Sequence, residues 1–300
     1  MPDISRFPLL LCASVCCCLA MGSPAAPDPA APAHPGAERI ALWPDQAPLG
    51  DGKFGKSKAA ITVHPAPNGK GVGIVICPGG GYGGLVTGPE GEGIARWLNG
   101  CAITGIVLEY RLPHGNHHLP LLDVQRALRM VREQAAKWKL DPGKIGIMGF
   151  SAGGHLASSA LTQFDSGNAQ SSDPVEIQSC RPDFGILVYP VISMGEIGHA
   201  GSRKNLLGAN PSAELIQRFS SETQVTNKTP PCFLTHAKDD TVVSVENSRK
   251  FAAALQDRKV PCEYLELPSG GHGLNGYRGP MWDAWQDAAL KWLSARDILP

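Results

Sequence analysis

The sequence carries no excess of charge: Lys and Arg together number 27, as do Asp and Glu, so the formal net charge over 300 residues is zero. With no long-range field to draw in nucleic acid, anionic lipid or a polyanionic substrate, a neutral or weakly charged substrate fits better. Cys-x-x-Cys spacing is also lacking, which argues against structural zinc. No apolar run after Met21 approaches the roughly 20 residues needed to cross a bilayer, and no internal repeat is visible. What is present is 43% hydrophobic and 18% charged residues, enough to bury one substantial core in a single α/β domain.

Arg6 precedes the apolar run from Phe7 to Met21, and the small residues Gly22 and Ser23 follow it. This pattern predicts a secretory signal over residues 1–23 and hence a secreted or periplasmic protein. Residues 24–39 are mostly Ala and Pro, a composition suited to an extended tether rather than a core. The catalytic domain is therefore expected over 40–300, opening where Leu42 and Trp43 restore large apolar residues. Removal of the signal leaves Cys77, Cys101, Cys180, Cys232 and Cys262. Five is odd, so at least one thiol stays unpaired, while Cys232 and Cys262 lie in strand-like runs that could be neighbours.

Short β-branched runs then alternate with amphipathic stretches, the pattern of a mainly parallel sheet covered by helices on both faces. Strands are expected at 61–64, 73–77, 103–110, 145–149, 185–189, 232–236 and 264–267. Leu121, Val124, Leu128, Val131 and Trp138 recur at helical spacing, which turns an apolar stripe to the sheet and places Arg126, Arg129 and Glu133 toward water. Trp282, Trp285, Ala289, Leu290 and Leu293 form a second stripe, expected to be core.

Gly149-Phe150-Ser151-Ala152-Gly153 directly follows an apolar strand-like run and precedes the helix-compatible stretch from His155 to Leu161. A serine forced onto a sharp strand-to-helix turn needs small neighbours and is left with an exposed hydroxyl, so Ser151 is the candidate nucleophile. The same turn aims a helix N-terminus and the Ala152 N–H at the place where negative charge develops during acyl transfer. Pro78-Gly79-Gly80-Gly81-Tyr82, after an earlier strand, is expected to supply the other oxyanion donors from Gly80 and Gly81. Gly79-x-Gly81-x-x-Gly84 also matches a dinucleotide fingerprint, with Glu109 ending the next strand. Thr87 to Gly91, with Pro89, is expected to interrupt the helix which that fingerprint requires.

A serine needs a base, and the base a carboxylate. His272, in the small-residue loop Ser269-Gly270-Gly271-His272-Gly273, follows the last predicted strand and reads best as the base. The loop His236-Ala237-Lys238-Asp239-Asp240 offers two acids, of which Asp240 is preferred over Asp239. His114, His117 and His118 are expected to be solvated, and no matching carboxylate constellation suggests a metal there. His155 is expected to pack or line substrate rather than act as a second base. No cofactor is implied.

These segments resemble the α/β-hydrolase superfamily, particularly its secreted acetylxylan esterase and carbohydrate acetylesterase-like branch, from about Ile40 to the C-terminus. Leu42-Trp43-Pro44 with Ala47-Pro48, Tyr110-Arg111-Leu112 and Asp123 to Ala127 carry the likeness, as do the glycine loop, Gly149 to His155, His236 to Ser248 and Gly271-His272-Gly273. In that branch the acid stands four residues after the histidine of a His-Gly-x-x-Asp-x-x-Val-Pro pattern, which falls on Asp240. Ala237 and Ser244 depart from the pattern. The resemblance implies removal of acetyl, and sometimes feruloyl, groups from plant polysaccharides or oligosaccharides, under a short cap over 190–229. A short-chain carboxylesterase, feruloyl esterase or peptidase of the same fold is the enzymatic alternative. A dinucleotide-binding oxidoreductase and a non-catalytic glycan-binding homologue are the alternatives of other classes.

Overall fold

The computed structural model describes residues 36–54 and 57–299. The expected signal at 1–23 and most of the Ala/Pro stretch lie outside those residues. Eight strands form one sheet: β1 Glu38–Ala41, β2 Ala60–His64, β3 Gly73–Cys77, β4 Thr104–Glu109, β5 Ile145–Phe150, β6 Gly185–Val188, β7 Cys232–Ala237 and β8 Cys262–Leu267. Their spatial order is β1-β2-β4-β3-β5-β6-β7-β8. β2 runs antiparallel to both β1 and β4, and the pairs from β4 to β8 are parallel. A two-stranded ribbon, Lys53–Phe54 with Ser57–Lys58, stands apart.

β3 and β5 read as unbroken buried runs, Gly-Ile-Val-Ile-Cys and Ile-Gly-Ile-Met-Gly-Phe, because helices cover both their faces. On one side lie α2 His118–Glu133, α3 Ser151–Thr162 and α6 Glu246–Asp257, whose Val124, Leu156 and Phe251 join one core. On the other lie α1 Gly93–Gly100 and α7 Pro280–Ser294. There Trp97, Trp282, Trp285 and Trp292 pack against Phe150 and Phe184. The Trp stripe is core, as its spacing indicates, though Leu290 is only half-buried. Between β6 and β7 the chain builds a short cap from α4 Ala200–Leu207 and α5 Ala213–Phe219.

Three features depart from the sequence reading. β1 opens at Glu38, inside the stretch assigned to the tether. With only Ile40 as a large apolar residue, this edge strand has little periodic signal of its own. Arg126 and Arg129 do not face water. Both are buried, because residues 165–176 fold across α2 and bring Asp173 and Glu176 within 2.6 and 2.7 Å of Arg126 and Asp165 within 2.5 Å of Arg129. A buried guanidinium is tolerated when carboxylates meet it. Finally, Gly88–Glu92 does not interrupt a helix but forms a π-helical turn running straight into α1, with Pro89 at its start, where a missing N–H costs nothing.

Two motifs prove architectural. Arg111, two residues past β4, forms a buried ion pair with Asp123 of α2 at 2.7 Å, and Asp123 also accepts the Trp43 indole N–H at 2.7 Å. The Arg111 and Arg126 guanidinium groups both lie over the Trp43 ring, 5.7 and 5.2 Å from its centroid. Cys232 and Cys262 are register partners across β7 and β8, and all five cysteines of the described residues are free thiols.

Candidate active site

The turn between β5 and α3 holds Ser151 at φ 51, a left-handed conformation that L-residues avoid and that lifts its side chain above the sheet edge. Tight packing enforces it. A Cβ on Gly153 would stand 2.1 Å from the Cys77 carbonyl oxygen, and one on Gly149 would stand 2.2 Å from the Gly153 oxygen. The Val191 amide bonds to the Ser151 carbonyl at 2.9 Å, tying the turn to the end of the next strand.

His272 reaches Ser151 from the loop after β8, with Nε2 2.9 Å from Oγ. Its Nδ1 lies 2.7 Å from Asp240 Oδ2. Because a carboxylate only accepts, Nδ1 carries the proton and Nε2 is free to accept from the serine hydroxyl. Asp240 Oδ1 accepts the amides of Val242 and Val243, each at 2.9 Å. Burial alone would raise the Asp240 carboxyl, but hydrogen bonds from His236, His272 and the Val243 amide outweigh it and hold the group well below the usual carboxylate range. Asp239 does not touch the ring. It accepts the Gly271 amide at 2.8 Å and the Gly270 amide at 3.3 Å, so it fastens the backbone of the loop carrying His272.

The glycine loop lies directly against the serine turn: a Cβ on Gly79 would be 2.9 Å from that of Ser151. The loop is built from turns, Gly83 and Gly84 donating to the Gly80 carbonyl, rather than from a helix opening on its glycines. Gly80 at φ 126 and Gly81 at φ 63 need the freedom of glycine. The Gly79 amide is taken by Glu90 at 2.7 Å, which leaves Gly80 and Gly81 as the next donors along the loop. Ala152, second residue of α3, carries an amide that no intrahelical carbonyl can reach. Glu109 is instead paired with Arg39 at 2.6 Å.

Further polar residues surround the triad, of which His199 and Asn205 carry no sequence signature. His236 is buried and shares its Nε2 N–H between the Val243 carbonyl at 3.0 Å and Asp240 Oδ2 at 3.2 Å, while its Nδ1 accepts from Ser248 Oγ at 2.8 Å. The four-residue spacing from His236 to Asp240 was the only available hint. His199, capping α4 through the Ser202 amide, lies by Gly81, and Asn205 of the same helix donates to the Gly81 carbonyl at 2.9 Å. His155 is fully buried, accepting from the Tyr82 hydroxyl at 2.8 Å and donating to the Phe219 carbonyl at 2.6 Å. Burial pushes it down to about 4, the Phe219 bond only partly opposing this, so it packs rather than exchanges protons. His114 and His118 are exposed, whereas His117 is half-buried against the Phe219 ring.

Residues 75–255 match the BD-FAE family model. Among curated relatives, endo-1,4-beta-xylanase B of Butyrivibrio fibrisolvens is 40% identical over 71% of this chain and 34% of its own length. The acetylxylan esterase of Xylanibacter ruminicola is 39% identical over 73% of this chain and 44% of its own length. The chain thus spans less than half the length of these two relatives. An acetyl ester-xyloside bifunctional hydrolase from Caldicellulosiruptor lactoaceticus superposes with a TM-score of 0.83 at 42% identity, covering 88% of this chain and 97% of that one. With the sheet order, the serine turn and these matches in agreement, the chain belongs to the BD-FAE family of α/β-hydrolases.

Proposed function

We propose that this protein is a serine carboxylic-ester hydrolase that removes acetyl groups from plant polysaccharides or oligosaccharides. The unbroken chain Ser151 Oγ, His272, Asp240, at 2.9 and 2.7 Å, carries this reading. His272 Nε2 takes the serine proton as Oγ attacks the ester carbonyl, and Asp240 stabilises the imidazolium that results. The oxygen that becomes negative is received by the amides of Gly80, Gly81 and Ala152. His272 then gives its proton to the departing sugar oxygen as the ester C–O bond breaks, releasing the sugar hydroxyl and leaving an acyl-enzyme on Ser151. A water, deprotonated by the same imidazole, releases acetate and restores the serine. No step needs a metal or cofactor.

The glycan assignment rests on the acetylxylan esterase and acetyl ester-xyloside hydrolase among the similar proteins and on the short cap. The N-terminal apolar run supports export, with residues 1–23 as the signal, a tether after it, and a catalytic domain whose sheet opens at Glu38; N-terminal sequencing of the mature protein tests the signal. The activity is tested by labelling with a fluorophosphonate and by assaying acetate release from acetylated xylan. A single adduct on Ser151 together with acetate release is expected. An adduct elsewhere overturns the mechanism, and the absence of acetate overturns the substrate.

A further inference from the structure

Glu90 is 2% exposed, in the π-helical turn that follows the glycine loop. Its Oε2 accepts the Gly79 amide at 2.7 Å. Its Oε1 accepts the phenol of Tyr189 at 3.0 Å and that of Tyr277 at 3.1 Å. The three donors come from three places: the loop after β3, the end of β6, and the segment just past His272. Tyr189 also lays its ring against the His272 imidazole, centroids 4.8 Å apart. One buried carboxylate therefore lies a single residue away from both the oxyanion loop and the base.

What Glu90 fixes on the glycine loop is the peptide unit between Pro78 and Gly79. The Pro78 carbonyl oxygen accepts the Tyr110 hydroxyl at 2.8 Å, and the Gly79 N–H meets Glu90 at the opposite edge. With both edges held, the plane of that peptide is set one unit before the Gly80 amide. Placing a donor correctly matters because oxyanion stabilisation depends on amides already pointing at the charge before it forms. Burial raises the Glu90 carboxyl above its ordinary range, while the Gly79 amide, the two phenols and the nearby His272 oppose the rise. A buried carboxylate is costly unless its oxygens are satisfied, and three donors satisfy these.

We propose that Glu90 is a positioning residue for ester hydrolysis, holding the oxyanion loop and the His272 loop in fixed relation through Gly79, Tyr189 and Tyr277. It touches neither substrate nor reacting atoms, and its role rests on the serine-hydrolase reading above. Glu90→Gln preserves an oxygen for the Gly79 amide and offers an N–H to a phenol oxygen. Glu90→Ala preserves neither.

The test is steady-state kinetics on p-nitrophenyl acetate, together with the affinity for a trifluoromethyl ketone that forms a tetrahedral adduct. Ser151→Ala is run alongside, and thermal unfolding of every variant is recorded. Glu90→Ala is expected to lower kcat about 100-fold, the size seen for loss of one oxyanion donor, with KM changed less than about threefold. Affinity for the ketone should fall in parallel with kcat, and Glu90→Gln should recover at least about tenfold of the loss. Wild-type kcat and ketone affinity in Glu90→Ala overturn the proposal, even if its melting temperature falls, for then the carboxylate only stabilises the fold. Should Glu90→Ala fail to fold, Glu90→Gln and Tyr277→Phe decide: a loss of kcat and ketone affinity in either supports the proposal, and wild-type values in both overturn it. Full activity in Ser151→Ala would instead remove the serine-hydrolase reading itself.

Discussion

Asp239 and Asp240, neighbours in the chain, grip the same histidine loop at two different points. Asp240 Oδ2 takes the ring N–H of His272 at 2.7 Å, and Asp239 Oδ1 takes the backbone N–H of Gly271 at 2.8 Å. One carboxylate orients the imidazole; the other anchors the backbone that carries it. The division follows from the turn after β7, which sends consecutive side chains in different directions.

Asp240→Asn should lower kcat/KM on p-nitrophenyl acetate by about 10³ to 10⁴, because an amide can present an N–H to Nδ1 and force the wrong tautomer. Asp239→Asn keeps an oxygen for the Gly271 amide, and its loss should stay within about tenfold. A larger loss in Asp239→Asn than in Asp240→Asn would reverse the two roles.

Ser151→Ala and Ser151→Gly should both abolish turnover, since neither can form the acyl-enzyme, yet they should differ in stability. At φ 51 an alanine keeps the strain of the left-handed conformation and glycine does not. Thermal unfolding should show Ser151→Gly more stable than Ser151→Ala by up to about 1 kcal/mol, less whatever entropy the glycine gains in the unfolded chain. A markedly less stable glycine variant would argue that the turn is unstrained.

The residues that chemistry requires at fixed local spacing were readable from the chain. Gly149-x-Ser151-x-Gly153 between a strand and a helix marks a turn that nothing but small neighbours permits, and His272 sits in a glycine-rich loop with few competing roles. All seven expected strands are present, because each is a short run rich in apolar and β-branched residues, most of them closed off by Gly or Pro. The groups supporting the site were not readable. Glu90, Tyr189 and Tyr277 meet over separations of 99 and 187 residues, and no periodicity encodes such a meeting. Arg126 and Arg129 were misplaced for the same reason: helical spacing gives the direction of a side chain but not the segment that later folds over it.

His155 should make the fold sensitive to acid. Its ordinary value of 6.5 falls to about 4 in the folded protein because burial disfavours the imidazolium. A depressed value means the stabilisation is fully present above about 6.5 and is lost as pH falls toward about 4, as the unfolded chain takes up the proton first. The shift amounts to about 3 kcal/mol at 1.36 kcal/mol per pH unit. In His155→Gln the amide can still accept from Tyr82 and donate to the Phe219 carbonyl. Chemical denaturation from pH 7.5 to 4 should therefore show a steeper loss in the native protein than in this variant. Parallel curves would assign the acid sensitivity to other groups.

Acyl-chain preference follows from the cap. The segment between β6 and β7 supplies two short helices, and the buried side chains of α4 and α5 are Ser202, Leu206, Leu207 and Phe219. The three leucine and phenylalanine side chains are already committed to the main core, so they offer no free wall for a fatty chain. Among the described residues the exposed large apolar side chains are Leu49, Ile177 and Val242; Val242, two residues past Asp240, is the one beside the acid loop. Each methylene that found an apolar wall would add about 0.8 kcal/mol of binding. With no continuous wall among these described side chains, octanoyl esters should gain little of it while still paying to order a flexible chain. Comparing kcat/KM across acetyl, butyryl, octanoyl and feruloyl esters should place acetyl first and octanoyl last among the alkanoyl esters. A strong octanoyl preference, with no acetate released from acetylated xylan or pectin, would replace the glycan reading with a lipase-like one and leave the Ser151 mechanism in place.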